Sequence, residues 1–463
     1  MHVFRRSLFS LILASALMIS FLPGGRALWA QSSGEVIAEG FNGPMGILMD
    51  PNGDIWVIDS GLGGEDSVDV VNPETGEATA ANMGNSARIV KVNAADGSQA
   101  DVATVPSVAS ESGASGGGRL ALIDGTLYAT VGEWLSTPDI DPPAGLATLV
   151  KVNDDGSTTE VAQFWPYERD VNPYPPVMHA HPFGLTAGPD GSILVADAGG
   201  NALHSVDPTT GEITTKAVLE PLPGVFPRPE YDNQLLTDPV PTAVAVGADG
   251  ATYISLLSGA PFIPGNAKVI KVNDDGSISD YATGLTMLID LRTGPDGNLY
   301  AAQFSVFTET GPQPGSGAII RIREGGDSEV VASGLDFVTS LDFDVNGDAY
   351  VTTNGVGAPG SGQVVKLTGL TGVTGTPIGE AMGGMQPPAT GDANATIAPA
   401  EEGPAEATLM EPTEEPMAEP SMEPTTLPVT GGSSSAMPGL LIVGAAMLLL
   451  AGVAVGARRK TAG

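Results

Sequence analysis

Two histidines stand two positions apart in QFWPYERDVNPYPPVMHAHPF, residues 163–183. In an extended chain that spacing turns the imidazoles of His179 and His181 to one face, which suits a metal ion or a polar ligand. No CxxC or HExxH accompanies them, so hydrogen-bonded loop histidines are the competing expectation. The same segment carries Trp165, Tyr167, Glu168 and Tyr174, and a second irregular segment, 219–241, carries Phe226 and Tyr231. Aromatic residues on proline-rich loops can grip a ligand with little loss of entropy. They can equally form a cover that only packs on the body beneath. A further set, Asp59, Glu133, Asp197 and Asn201, offers carboxylate and amide oxygens. Converging on one point, these would suit Ca²⁺, which takes six to eight oxygens; each is equally well explained as a turn former. Nothing in the sequence demands a cofactor, and Ca²⁺ is the candidate. The glycine-rich SGASGGGR (112–119) lacks a following Lys-Ser/Thr and is no phosphate loop. No Ser-His-Asp arrangement has supporting context.

The elements that must position these residues repeat. An apolar run, an Asn-Gly or Asp-Gly turn and a second apolar run recur with turns at Asn52-Gly53, Asp124-Gly125, Asp190-Gly191, Asp249-Gly250, Asp296-Gly297 and Asn346-Gly347. Such dipeptides between apolar runs signal hairpins, with type I′ turns expected. A third strand phrase follows each hairpin, as in ARIVKVNAADG and KVIKVNDDG, and a fourth follows five of them, as in DYATGL (280–285). The missing fourth phrase is EVIAEGF, residues 35–41, ahead of all the others. Units of four antiparallel strands at a fixed period read as propeller blades. The reading is an all-β, six-bladed β-propeller over residues 31–370, closed by the N-terminal strand completing the last blade beside QVVKLTG. Both irregular segments link successive blades and so fall on one rim. Long ordered loops on a rigid scaffold are where binding concentrates.

The ends have a different character. Residues 1–30 read as a secretory signal peptide, with Arg5 and Arg6 before an apolar stretch from Leu8 to Leu22. Residues 371–426 are rich in Pro, Glu and Thr and read as a disordered stalk, unable to bury enough apolar surface to order itself. Residues 427–463 carry LPVTG, an apolar span near 437–457 and Arg458-Arg459-Lys460. The span is long enough for a transmembrane helix, and the basic cluster would hold its end in the cytoplasm. The order of motif, span and basic tail resembles a sortase cell-wall sorting signal. That resemblance implies that Leu427, Pro428 and Thr430 are read by a sortase, with cleavage between Thr430 and Gly431.

The net charge is −35 and the chain has no cysteine. Ten of its 54 acidic residues lie in 371–457, so the propeller is acidic too. Nucleic acid is excluded as a partner, because phosphate binding needs a basic surface. The expected partners are a small molecule or a surface partner, the sortase, and the membrane through the C-terminal helix; a monomer is expected.

YERDVNP (167–173), HPFGLTAGPDGSILVADAGGN (181–201), PTAVAVGADGATYISLLSGAPFIPGNAKVIKV (241–272) and YATGLTMLIDLRTGPDGNLY (281–300) resemble the ScyD/ScyE family of exported propellers related to NHL-repeat proteins. The resemblance covers most of 35–368 and implies a six-bladed propeller outside the cytoplasm. His179 and His181 depart from the Ser-Asn type of sequence usual there. The expected function is a surface-anchored ligand-binding or interaction module. The alternative is a Ca²⁺-dependent lactonase- or hydrolase-like propeller enzyme acting on a small exported metabolite, and it requires Asp59, Glu133, Asp197 and Asn201 to converge.

Overall fold

The computed structural model of the protein describes residues 34–71, 78–110, 113–175, 177–273 and 275–381. The leader expected at 1–30, LPVTG and the apolar span near 437–457 lie outside these residues. No helix among the described residues is long and apolar enough to cross a membrane.

The described chain is mostly β. Six antiparallel sheets have four or more strands each. The first strands of the sheets are Pro44–Met49, Gly117–Ile123, Pro182–Ala187, Pro241–Val246, Leu288–Thr293 and Ser340–Phe343. Each contacts the first strand of the next sheet, and the sixth contacts the first. Apolar clusters fill the spaces between successive sheets, as where Leu48, Ile58 and Ile89 of the first meet Leu120 and Ala129 of the second. Neither face of a sheet could be buried without its neighbours, so stability comes from this stacking.

The hairpin turns fall at the repeated dipeptides, but only one has the expected type. Asp124 and Gly125 both have positive φ (49° and 77°), and Ile123 pairs directly with Thr126. The other five turns are longer. At the first, Gly53 N donates to Asp50 O and Asp50 N donates to Asp54 O, with only the glycine at positive φ (87°). Pro51, Pro189 and Pro295 explain three of them: in a two-residue hairpin each would be the last strand residue, whose N–H must pair across the turn, and proline has none.

Strand Glu35–Phe41 pairs antiparallel with Gly362–Leu367, in the register Glu35↔Lys366 to Phe41↔Gly362. It is the outer strand of the sheet that contains the last hairpin. This is the pairing expected of the displaced fourth phrase.

Two boundaries differ from the sequence reading. The stretch assigned to the stalk from residue 371 begins with packed chain. Thr376–Pro377 pairs with Glu329 and Val330 on the fifth sheet, and Ile378 and Ala381 are buried against that sheet. Composition blurred this edge because the docking residues are few and flanked by Gly and Thr. The second difference is an extension of the first sheet. Asp66–Val71 pairs with the long strand Ala78–Asn93, which in turn pairs with Gln99–Ser110. The segment at 60–87 is therefore a larger departure from the repeat than either link named above. Part of it, 78–87, prolongs a strand of the repeat, and a reading by repeated phrases passed over that part.

Candidate functional site

Trp134–Leu135 pairs with His179–Ala180, with Trp134 opposite Ala180. One step along this register sets Glu133 opposite His181, and the alternation of an extended chain brings His179 to the same face. Glu133 Oε2 lies 2.8 Å from His179 Nε2 and 3.4 Å from His181 Nδ1. The imidazoles stack at 5.9 Å between centroids. His179 and His181 are buried, and the Glu133 side chain is 9 % exposed. Neither Glu133 Oε1 nor His181 Nδ1 has a hydrogen-bond partner. Leaving such atoms dry costs about 1–3 kcal/mol each, so the cluster is incomplete without something further.

The surroundings fix the rings. His181 N donates to Asp197 Oδ1 at 2.8 Å, and His179 N donates to Glu168 Oε1 at 3.4 Å. A Cβ on Gly199 would lie 2.6 Å from His179 Cγ, so only glycine leaves room for that imidazole. Burial opposes ionisation of Glu133, but the two imidazoles and the Ser115 hydroxyl outweigh it and hold its carboxyl below the usual range. Burial lowers His181, against the pull of Glu133, and so favours the neutral ring. Burial also raises Glu168, and Asp197 adds to it, bringing Glu168 to about 8.

Glu133 and His181 open onto a cavity of about 220 Å³. Its wall is mainly apolar, with Met45, Leu62, Phe183 and Val356, and Ser115 stands beside the cluster. The extension of the first sheet supplies Ala109, Ala114 and Ser115. The glycine-rich run completes the wall for a steric reason. A Cβ on Gly117 would lie 2.2 Å from Ile58 Cγ1 and 2.6 Å from Asp59 O. The run lets two sheets approach closely.

The other expected residues fall elsewhere. Trp165 is fully buried in the core between the second and third sheets. Tyr167 turns inward, its hydroxyl 2.9 Å from Thr215 Oγ1 and its ring edge-on to His204. Tyr174 is buried and its hydroxyl donates to Asp238 Oδ1 at 3.3 Å, joining the two irregular links. Phe226 and Tyr231 are half-buried on the second link, away from the cavity. Of the eight ligand-binding candidates only His181 lines the cavity, with His179 and Glu168 behind it. Trp165 thus belongs to the core, and Tyr174 to the packing between the two links.

The calcium set does not converge. Asp59 accepts from Arg88 N and from the Arg88 guanidinium, with an ion pair at 3.0 Å. Asp197 Oδ1 accepts from the backbone of His181, Gly199 and Gly200. Asn201 Oδ1 accepts from Val240 N and its amide donates to Gly199 O. These three hold links and turns, the competing role foreseen for them, and only Glu133 joins a cluster. Among the described residues, Glu133, His179 and His181 are the group of side chains whose donor atoms come together, all within 4.8 Å.

Beneath the cavity lies a buried charge network that the sequence reading missed. Arg119 donates to Met45 O, to Ile289 O at 2.6 Å and to Thr339 O at 2.8 Å. Its guanidinium also covers the Phe183 ring at 4.4 Å. Burial lowers Arg119 to about 10, with Asp290 opposing, so the side chain stays charged. Asp290 and Arg292, like Ser340 and Asp342, alternate along their strands. Polar or charged residues at i and i+2 inside the apolar phrases LIDLRT and SLDF were the available signal.

Residues 423–462 match the LPXTG cell wall anchor motif. The chain thus carries the mark of an exported, cell-wall-anchored protein. No curated protein matches the chain by sequence. In structure it is similar to catalytically inactive virginiamycin B lyase from Staphylococcus aureus with quinupristin, at 14 % identity and TM-score 0.38 over 72 % of this chain and 88 % of that one. It is also similar to the PQQ-bound aldose sugar dehydrogenase of Streptomyces coelicolor, at 15 % identity and TM-score 0.40 over 72 % and 98 %. A third is a Bacteroides thetaiotaomicron protein of unknown function, at 12 % identity and TM-score 0.44 over 73 % and 72 %. At these values no activity passes from those proteins to this chain.

Proposed function

We propose that the protein is a wall-anchored, six-bladed closed propeller that binds a small molecule in the rim cavity beside Glu133 and His181. The carrying observation is the pair of unpartnered buried atoms, Glu133 Oε1 and His181 Nδ1, on residues that line that cavity. About 220 Å³ lies below the ~300–1,000 Å³ of sites for drug-sized ligands, so the ligand is small. An apolar wall with one polar end fits a molecule with an apolar body and one polar head. Export through the leader and sortase cleavage after Thr430 would place this cavity outside the cell. Membership of the ScyD/ScyE family, suggested by 181–201 and 241–272, would agree with that location. The calcium-dependent hydrolase is the weaker reading, because Asp59, Asp197 and Asn201 are each tied to backbone amides. The test is a calorimetric screen of the full-length protein against small amphipathic acids, amines and phenols. Saturable binding that Ala114→Trp abolishes supports the cavity. Binding that survives a filled cavity sinks it.

A further inference from the structure

We propose that Glu133, His179 and His181 form a binding centre for a divalent transition ion of the Zn²⁺ class, with an open coordination position toward the cavity. The inference deepens the binding reading above, since the ion would hold the polar head of the ligand, but its test needs no organic ligand.

The donor set comes first. Two imidazoles and one carboxylate suit zinc and its first-row neighbours, whereas Ca²⁺ and Mg²⁺ want shells of oxygen. A tetrahedral ion with bonds near ~2.0–2.2 Å holds its ligand atoms roughly 3.3–3.6 Å apart. The His181 separation of 3.4 Å from Glu133 Oε2 falls in that range and the His179 separation of 2.8 Å lies below it, and all three donor atoms lie within 4.8 Å of one another. Small side-chain rotations would suffice.

The second observation concerns what is left over. A proton shared between His179 and Glu133 would satisfy that pair alone. It leaves His181 Nδ1, which faces Glu133 at 3.4 Å without hydrogen-bond geometry, and Glu133 Oε1 still unpartnered. An ion seated among the three uses the His181 lone pair and the carboxylate together. The supports are those of a held site: the backbone of His181 is fixed by Asp197, that of His179 by Glu168, and Gly199 makes room for the His179 ring. Three protein ligands on a tetrahedral ion leave one position, as in sites where zinc binds water or substrate. Glu133 and His181 line the cavity, so that position opens into it.

The experiment uses untagged, chelator-stripped full-length protein titrated with ZnCl₂ against a chromophoric chelator, and separately with CoCl₂. The expected result is one equivalent of Zn²⁺ bound. A visible Co²⁺ absorption band of four- or five-coordinate type should appear and be displaced by Zn²⁺. His181→Ala and Glu133→Gln should each weaken Zn²⁺ uptake at least tenfold, while His204→Asn should leave it unchanged. If His181→Ala does not unfold cooperatively, Glu133→Gln, which keeps the side-chain shape, decides alone. No saturable uptake by the wild-type protein, uptake unaltered in a folded Glu133→Gln variant, or displacement of Zn²⁺ by equimolar Ca²⁺ would each overturn the assignment. Any of these results leaves the cavity screen standing, so the two readings fail separately.

Discussion

The guanidinium of Arg119 lies 3.6 Å from the carboxylate of Asp290, and each side chain is 1 % exposed. The two residues belong to the first strands of the second and fifth sheets. Ser340 on the sixth donates to the same carboxylate at 2.5 Å. The first strands of these three sheets are thus tied by buried charge as well as by apolar packing. Removing one partner of a buried pair leaves an uncompensated charge and costs about 3–5 kcal/mol. Arg119→Met should lower the urea-unfolding free energy by that amount. Arg119→Met combined with Asp290→Asn should regain part of it. If the two losses simply add, the pair is not coupled.

Strand Glu35–Phe41 should behave as a structural fastener. Phe41 is fully buried among Tyr350, Val364 and Val57, so Phe41→Ala should cost about 3–5 kcal/mol. Val36, on the same strand, is 48 % exposed, and Val36→Ala should stay within about 0.5 kcal/mol. Deleting residues 34–41 should expose the edge of Gly362–Leu367 and speed proteolysis there. Equal protease resistance in the deletion would refute the fastening role.

The repeat and its displaced strand were legible because hairpins are local: Asp124-Gly125 specifies its own turn, and EVIAEGF is conspicuous by its place in the order. The partnership of Glu133 with His179 and His181 was not. The spacing of the two histidines gave their shared face, but Glu133 comes from the preceding sheet and meets them only through the two-residue pairing at Trp134–Leu135. Sequence reasoning grouped Glu133 with Asp59 and Asp197, which occupy similar positions at the ends of second strands. In those sheets the carboxylate turns back onto backbone amides, and in the second sheet it does not. Trp165 looked like a ligand-binding aromatic for a related reason. Loop composition does not reveal that a two-turn helix, Phe164–Val171, carries it into the core.

The close approach at the cavity wall gives a stability prediction. Gly117→Ala places a methyl group 2.2 Å from Ile58 Cγ1 and 2.6 Å from the Asp59 carbonyl. Backbone on one side and core on the other leave little room to yield, so a loss of about 1–3 kcal/mol is expected. Gly125→Ala is a control of another kind: nothing lies near its Cβ, and the cost there comes from φ of +77° alone. Differential scanning calorimetry of the two variants separates crowding from backbone strain. A Gly117→Ala melting temperature equal to that of the wild type would show that the sheets can part without cost.

The LPXTG match at 423–462 predicts where the protein ends up. Replacing Leu427 or Thr430 by Ala should abolish covalent linkage to the wall and shift the protein to membrane or medium fractions. Immunoblots of muramidase-released material would read this directly. Unchanged release by muramidase would mean that the motif is not processed.

Glu168 sets a pH dependence whose sign can be fixed. Burial and the neighbouring Asp197 raise its folded-state pKa from 4.5 to about 8. The folded protein therefore holds a proton that the unfolded chain releases near pH 4.5. Stability rises with pH only where the unfolded state binds more protons, and here the folded state binds more. The contribution of Glu168 is thus fully present below about pH 4.5 and falls as pH rises through about 8. The difference corresponds to at most about 5 kcal/mol, at ~1.4 kcal/mol per pH unit. Glu168→Gln keeps a neutral side chain that can pack in the same place and removes this loss. Urea-unfolding free energies at pH 5, 7 and 9 should show the wild type declining relative to the variant, with the gap widest at pH 9. Parallel curves would mean that Glu168 ionises freely in the folded protein, and its burial behind His179 would then have to be relieved by water or by a local opening of the helix Phe164–Val171.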